Sequence, residues 1–251
     1  SSNLVSNGDF SQEGSEQITN GDFSNGSTDW ANPDNAATFS NDSVTLSGGI
    51  GNRRILQSNV TSPTSSQWKL QYEIIEKVGT SDLRTYTTSG YSIIPSTVGI
   101  HTYYFNSNLT SFYFAFSNST GSITIDNVSV KEVGQDWNLG TGWSIGNNKA
   151  IANNVPNLQR LQRAGNNPSV IGNTYKYSIN ISNVSGFYSV YIFGVYVLAT
   201  SNTEGIIEGE FTATSTNGAF WVAGASASGL ISATIENITI LEITSDTNLP
   251  R

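Results

Sequence analysis

The stretch "SITIDNVSVKEV", Ser122 to Val133, returns 110 positions later as "SATIENITILEI", Ser232 to Ile243, with an acidic residue followed by Asn at the same place in both. In the first copy the apolar positions are Ile123 and Ile125, then Val128 and Val130, so the parity switches across Asp126 and Asn127. The second copy slips in the same way, with Ile235 before and Ile238 and Ile240 after Glu236 and Asn237. A regular strand alternates faces with period two and cannot change parity while keeping one side buried. Two residues must therefore oppose one on the neighbouring strand, which is a β-bulge. Bulges re-aim side chains, and here the re-aimed one is a carboxylate each time.

Outward from these strands the repeat continues. "GDFSNGSTDW" (Gly21 to Trp30) aligns with "QDWNLGTGW" (Gln135 to Trp143), pairing Asp22 with Asp136, Phe23 with Trp137 and Trp30 with Trp143. "QWKLQYEII" matches "TYKYSINIS", "VGIHTYYF" matches "EGIIEGEF", and "SFYFAF" matches "AFWVAG". Short alternating strands broken by Asn-Gly, Ser-Gly and Pro signals predict an all-β chain of two tandem β-sandwich (jelly-roll) domains. The predicted boundaries are an N-terminal arm or linker over 1–17, sandwiches over 18–133 and 134–245, and a C-terminal linker over 246–251. The arm repeats "NGDF" thirteen residues before its main occurrence. It reads either as an arm from a preceding domain or as a first strand competing with the second for one sheet edge.

Composition narrows the function. Eleven basic against nineteen acidic residues give a net charge of −8, which disfavours phosphate-neutralising contact with nucleic acid. With no Cys in the chain, disulfides, thiolate catalysis and Cys-ligated zinc are excluded. No apolar stretch approaches the roughly 18 to 20 residues of a membrane-spanning helix, so no membrane insertion is expected. Even an initiating Met is missing, and the chain is read as part of a larger chain or assembly.

The first and last strands of a jelly roll commonly lie side by side, which would bring Asp22 towards Asp126 and Asp136 towards Glu236. Like charges drawn together and partly desolvated are unfavourable unless one is protonated or a cation sits between them. A hard cation suits oxygen donors, and Ca²⁺ accepts carboxylates, amides and backbone carbonyls in irregular loops. The other reading is that these acids accept backbone N–H bonds and stay solvated.

"LVSNGDF" and "ITNGDFSNGSTDW", together with "GSITIDNVSVKEV", resemble the boundary motifs of the galactose-binding-like carbohydrate-binding modules, especially families 4, 9 and 22. The likeness covers about residues 18–133 and, more weakly, 134–245. It implies a jelly roll with a structural Ca²⁺ between the opening segment and the acid of the last strand, carried here by Asp22 and Asp126, then Asp136 and Glu236. The second copy departs from the pattern at Gln135, where Gly is usual, and at Glu236. The superfamily also occurs in phage virion and bacterial surface proteins, so an extracellular, cell-surface or virion location is implied.

Sugar rings stack on aromatic faces, so a binding surface should show aromatics on the polar parity of a strand. Trp68, Tyr72, Tyr175 and Tyr177 share parity with aliphatic residues and read as core. In "SFYFAF" Tyr113 opposes Phe112, Phe114 and Phe116, and Trp221 opposes Phe220 and Val222 in the same way. Arg84 and Tyr86 line a polar parity in "LRTYTTSGY". Tyr113, Trp221, Arg84 and Tyr86 are therefore the candidate ligand-binding residues; the plainer reading is an ordinary half-exposed sheet.

Catalysis finds little support. His101 is the only His, and nucleophile-elbow, HExxH, P-loop and dinucleotide fingerprints are absent. A glycosidase pair would have to be Asp22 with Asp126, at the domain edge and away from any aromatic cleft. The expected function is non-catalytic binding of a polysaccharide or cell-surface glycan. The alternative is a structural virion or surface protein making protein contacts alone.

Overall fold

The computed structural model describes residues 2–49, 51, 53–60, 67–108, 110–116, 120–165, 169–225 and 229–243. The expected C-terminal linker, 246–251, lies outside them. Among the described residues there is no helix. The strands are β1 (Glu13–Glu16), β2 (Ala37–Ser40), β3 (Ser43–Ser47), β4 (Arg53–Ser58), β5 (Gln67–Val78), β6 (Leu83–Thr87), β7 (Gly90–Ile94), β8 (Gly99–Asn106), β9 (Ser111–Phe116) and β10 (Ser122–Val133). The second set is β11 (Trp137–Leu139), β12 (Trp143–Gly146), β13 (Lys149–Val155), β14 (Arg160–Arg163), β15 (Thr174–Ser185), β16 (Tyr188–Ile192), β17 (Val195–Ser201), β18 (Gly205–Thr212), β19 (Phe220–Gly224) and β20 (Ile231–Glu242).

Each set makes a two-sheet antiparallel sandwich of the same strand order. In the first, β2-β3-β10-β5-β8, with β1 added to β10, faces β4-β9-β6-β7. In the second, β12-β13-β20-β15-β18 faces β11-β14-β19-β16-β17. The quoted strands β10 and β20 are central, paired on both sides, which explains their alternating apolar residues. The bulge is present in both: Asp126 opposes Glu73 while Ser129 opposes Gln71, so two residues face one. In the second copy Asn237 opposes Asn180 and Ile235 opposes Ile181, leaving Glu236 extra. Ile123, Ile125, Val128 and Val130, like Ile235, Ile238 and Ile240, are all buried.

Alternation also builds the rest of each core. In the first sandwich Leu70, Tyr72 and Ile74 of β5 meet Ile55, Phe112 and Phe114 of the opposite sheet, with Tyr72 edge-on to Phe114 at 5.5 Å. In the second, Tyr175, Tyr177, Ile179 and Ile181 are buried with Val190, Ile192, Phe220 and Val222. The expected core aromatics Trp68, Tyr72, Tyr175 and Tyr177 are all buried.

The chain divides into two compact units, Glu13–Glu132 and a split unit of Ser1–Gln12 with Val133–Arg251. This corrects the expectation of an arm over 1–17. Residues 2–12 are the opening segment of the second sandwich, and the first sandwich is inserted in the chain after Gln12. The physical reason is backbone pairing to β20: the Leu4 N–H donates to the Ile240 carbonyl and the Ile238 N–H to the Gly8 carbonyl, each at 2.9 Å. The segment from Gln17 makes the matching pair on β10, from Gln17 to Val130 at 2.9 Å and from Val128 to Gly21 at 2.8 Å.

Candidate functional site

Two features of each sandwich bear on function: an acidic corner at the bulge and an aromatic-arginine patch on the outward face of the second sheet.

The corner of the first sandwich gathers carboxylates. Burial pushes the Asp126 carboxyl above its ordinary range, opposed by a hydrogen bond from the Asn127 N–H and reinforced by Glu73, Asp22 and Asp42. Asp22 is instead held low by the Ser24 N–H and hydroxyl, which donate to it at 3.2 and 3.0 Å. Asn127, in the left-handed region at φ 53°, donates its amide to Glu73 at 3.0 Å. These are oxygen donors of the kind Ca²⁺ takes. Among the described residues no three acidic or histidine side chains converge as a group that could hold a metal ion.

The second corner is assembled differently from the sequence expectation. Asp136, expected opposite Glu236 as the partner of Asp22, is instead the counterpart of Asp29: both have positive φ, 71° and 68°, and both precede a Trp whose indole holds the opening segment. The counterpart of Asp22 is Asp9, which accepts from Ser11 as Asp22 does from Ser24. Glu236 pairs with Lys149 at 2.7 Å and accepts from the Asn180 amide at 3.1 Å. The strand registers place Lys149 where the first sandwich has Ser43, and Asn180 where it has Glu73. One acid of the corner is thus replaced by an amide, and a lysine ammonium supplies the positive charge.

The patch recurs in both sandwiches. In the first, Tyr86 of β6 opposes Tyr91 of β7, edge-on at 5.0 Å, and lies 5.8 Å from Tyr113 of β9. Arg54 of β4 hydrogen-bonds Tyr91, which raises its pKa, and forms an ion pair with Asp34 at 3.3 Å. In the second, Tyr191 opposes both Tyr196 and Trp221 in register, and Arg160 of β14 lies over the Trp221 ring at 4.4 Å. Register equates Arg54, Tyr86, Tyr91 and Tyr113 with Arg160, Tyr191, Tyr196 and Trp221. Sequence reasoning missed Arg54, Tyr91, Arg160, Tyr191 and Tyr196. The signal was available in the strand alternation, but these strands are short and only cross-strand register shows that the residues meet.

Tyr113 is half-buried, and Tyr86 is exposed at 37%. Arg84 reaches Asp82 at 3.6 Å. Trp221 departs from expectation: it points away from the core, yet it is only 6% exposed. Tyr191 stacks parallel to it at 5.1 Å, Tyr196 meets it edge-on at 5.4 Å and Arg160 covers it, so its faces are already occupied. The accessible ring of this patch is Tyr196, 57% exposed. An open cleft of about 420 Å³ adjoins the patch at Arg160 and is lined further by Asn138, Leu139, Leu158 and Gln162. A cleft of about 400 Å³ bordered by Ala31, Leu56, Gln57 and Asn59 occupies the corresponding edge of the first sandwich.

Fold and patch together define two antiparallel β-sandwiches in one chain, each carrying an aromatic-arginine patch. Among solved structures, the N-terminal CBM22-1-CBM22-2 tandem domain of Xyn10C from Paenibacillus barcinonensis is similar at 9% identity and a TM-score of 0.36, over 93% of this chain and 99% of that one. The secreted serine protease VesC from Vibrio cholerae is similar at 10% identity and a TM-score of 0.30, over 79% of this chain and 48% of that one. At such identities and scores these likenesses say nothing about what this chain binds. No family model matches the chain, and no curated protein does. Among the described residues no helix is long and apolar enough to cross a membrane.

Proposed function

We propose that the chain is a non-catalytic glycan-binding pair of sandwiches of an extracellular, surface or virion protein, each contacting polysaccharide through its patch. The observation that carries this is the recurrence, at identical register, of an arginine and three aromatic rings on the outward face of both sandwiches. Exposed rings offer stacking faces, arginine offers hydrogen bonds to hydroxyls, and two weak sites on one chain gain avidity. Stacking should occur on Tyr86 and Tyr196, the exposed rings, rather than on Trp221. Tyr86→Ala and Tyr196→Ala are each expected to weaken retention on a bound polysaccharide several-fold, with the melting temperature nearly unchanged. The double variant should abolish retention. A glycan array on which wild type binds nothing, or retention that survives the double variant, overturns the reading.

Protein contact alone is a second reading, favoured by the exposed Ile100 and Ile206, 75% and 71% exposed at matching positions of β8 and β18. The same array separates the two readings, since an assembly surface predicts self-association without glycan retention.

A structural Ca²⁺ belongs to this reading only in the first sandwich, where the partly buried Asp126 has Glu73, Asp22 and Asp42 as acidic neighbours; in the second the Lys149 ammonium pairs with Glu236 instead. The pH dependence has a definite sign. A carboxyl whose pKa is raised by folding makes the folded state bind protons more tightly than the unfolded one, so its ionisation destabilises the fold. That penalty is absent below the unfolded carboxylate pKa of about 4 and is fully present above the raised folded value. In chelator, Asp126→Asn is therefore expected to melt higher than wild type at neutral pH, the gap closing as pH falls towards about 4. Added Ca²⁺ should raise wild type alone, as any ligand of the native state must. Melting curves of wild type that superimpose with Ca²⁺ and with EDTA would remove the metal.

A further inference from the structure

The two N-G-D-F segments make the same contacts on different sandwiches, but they reach them by different routes. In each, Asn and Phe adopt left-handed φ: 49° and 57° at Asn7 and Phe10, 50° and 51° at Asn20 and Phe23. The Asn carbonyl accepts from an indole at 3.0 Å, Trp137 for Asn7 and Trp30 for Asn20. Phe10 packs on Trp137 at 5.1 Å and Phe23 on Trp30 at 5.3 Å. A Cβ on Gly8 would fall onto the Ile238 carbonyl oxygen, and one on Gly21 onto that of Val128, so both grooves demand glycine. Trp30 follows Asn20 by 10 positions, whereas Trp137 follows Asn7 by 130.

Side chains also read the second groove. Asn3 accepts from the Ile240 N–H at 2.9 Å and donates to the Ile238 carbonyl at 3.2 Å. The Asn7 amide reaches the Gln135 carbonyl at 2.9 Å, and Arg163 donates to the Ser6 hydroxyl at 3.0 Å. Val5 and Phe10 are buried. The segment 2–12 thus docks on a surface made entirely by residues at and beyond 133, with the whole first sandwich intervening in sequence.

We propose that the groove along β20 and Trp137 is a peptide-binding site for an N-G-D-F segment, and that residues 2–12 of a second copy of this chain occupy it in exchange for the chain's own. Every contact above is identical whichever copy supplies the segment, so only effective concentration favours the intrachain arrangement. Exchange of an identical element is a low-cost route to dimers. Order of synthesis favours it further: the segment emerges before β20 with the whole first sandwich between them, so each nascent copy carries a free segment until β20 is made. The second copy is the fitting donor because it carries the required Asn, Gly and Phe in the required order.

The test uses full-length chains. Gly8→Val breaks the segment and leaves the groove; Trp137→Ala breaks the groove and leaves the segment. A labelled synthetic peptide of residues 2–12 should bind the Gly8→Val chain saturably and bind wild type at least tenfold more weakly. The same peptide carrying Gly8→Val should not bind. Co-refolding the two variants should give a mixed dimer by light scattering that neither gives alone. If the Gly8→Val chain does not fold by itself, refolding it with peptide replaces the titration: recovery of the β signal supports the site, and no recovery overturns it. Absence of peptide binding, or equal binding of the valine peptide, overturns the site; peptide binding without the mixed dimer overturns the second copy as donor.

Discussion

Trp221→Ala is expected to cost about 3–5 kcal/mol of stability, the range for removing a large buried aromatic, and so to behave as a structural rather than a ligand-contacting change. The ring sits on the outward face of β19, but Tyr191 covers it face to face at 5.1 Å with planes 6° apart, and Arg160 lies over it at 4.4 Å. Truncation would leave a void under Tyr191 and Tyr196 and strip the guanidinium of a cation–π contact worth about 0.5–1 kcal/mol at an exposed site. Tyr113→Ala, at the equivalent position but half-buried and 5.8 Å from Tyr86, should cost clearly less. Urea denaturation of both variants measures the difference. If Trp221→Ala unfolds at the wild-type midpoint and loses glycan retention, the ring is a free platform and the covered geometry is refuted.

The parity of "SFYFAF" and "AFWVAG" correctly puts Tyr113 and Trp221 off the core, because alternation along one strand is a local property. It cannot reveal that Trp221 is covered, since Tyr191, Tyr196 and Arg160 come from three other strands. The bulge was legible for the same local reason: a strand that switches parity and still buries one face must carry an extra residue at the switch. The acidic corner was legible in part. Asp126 lies at the bulge and feels the Asp22 carboxylate, but Lys149 on Glu236 is a pairing across 87 positions that no spacing announces.

Asp22 does not correspond to Asp136 because the segment docked along β20 is not the stretch that follows β10 in sequence but the one at Asn7–Phe10. The clue was present twice. "DW" at Asp29-Trp30 recurs at Asp136-Trp137, and Gln135, anomalous as a glycine of N-G-D-F, is ordinary as the residue before that "DW". The missing N-G-D-F of the second sandwich is the one at Asn7 to Phe10.

That relocation makes Trp137 the residue on which the split sandwich closes. Its ring is 2% exposed, packs on Phe10 at 5.1 Å and edge-on to Phe220 at 5.9 Å, and its indole N–H donates to the Asn7 carbonyl at 3.0 Å. Trp137→Ala is expected to cost about 3–5 kcal/mol from lost packing, and about 1 kcal/mol more for the hydrogen bond. Trp30→Ala removes the equivalent contacts to Phe23 and Asn20. Its opening segment is joined to Trp30 through ten residues of chain, whereas the segment released in Trp137→Ala is held only at its Gln12 end, where β1 pairs with β10. Limited proteolysis should therefore remove the first twelve residues from Trp137→Ala at a protease dose that leaves wild type and Trp30→Ala uncut before Gln12. Equal protection of that segment in all three chains would mean that Trp137 is packing for the core and not the clasp of the opening segment.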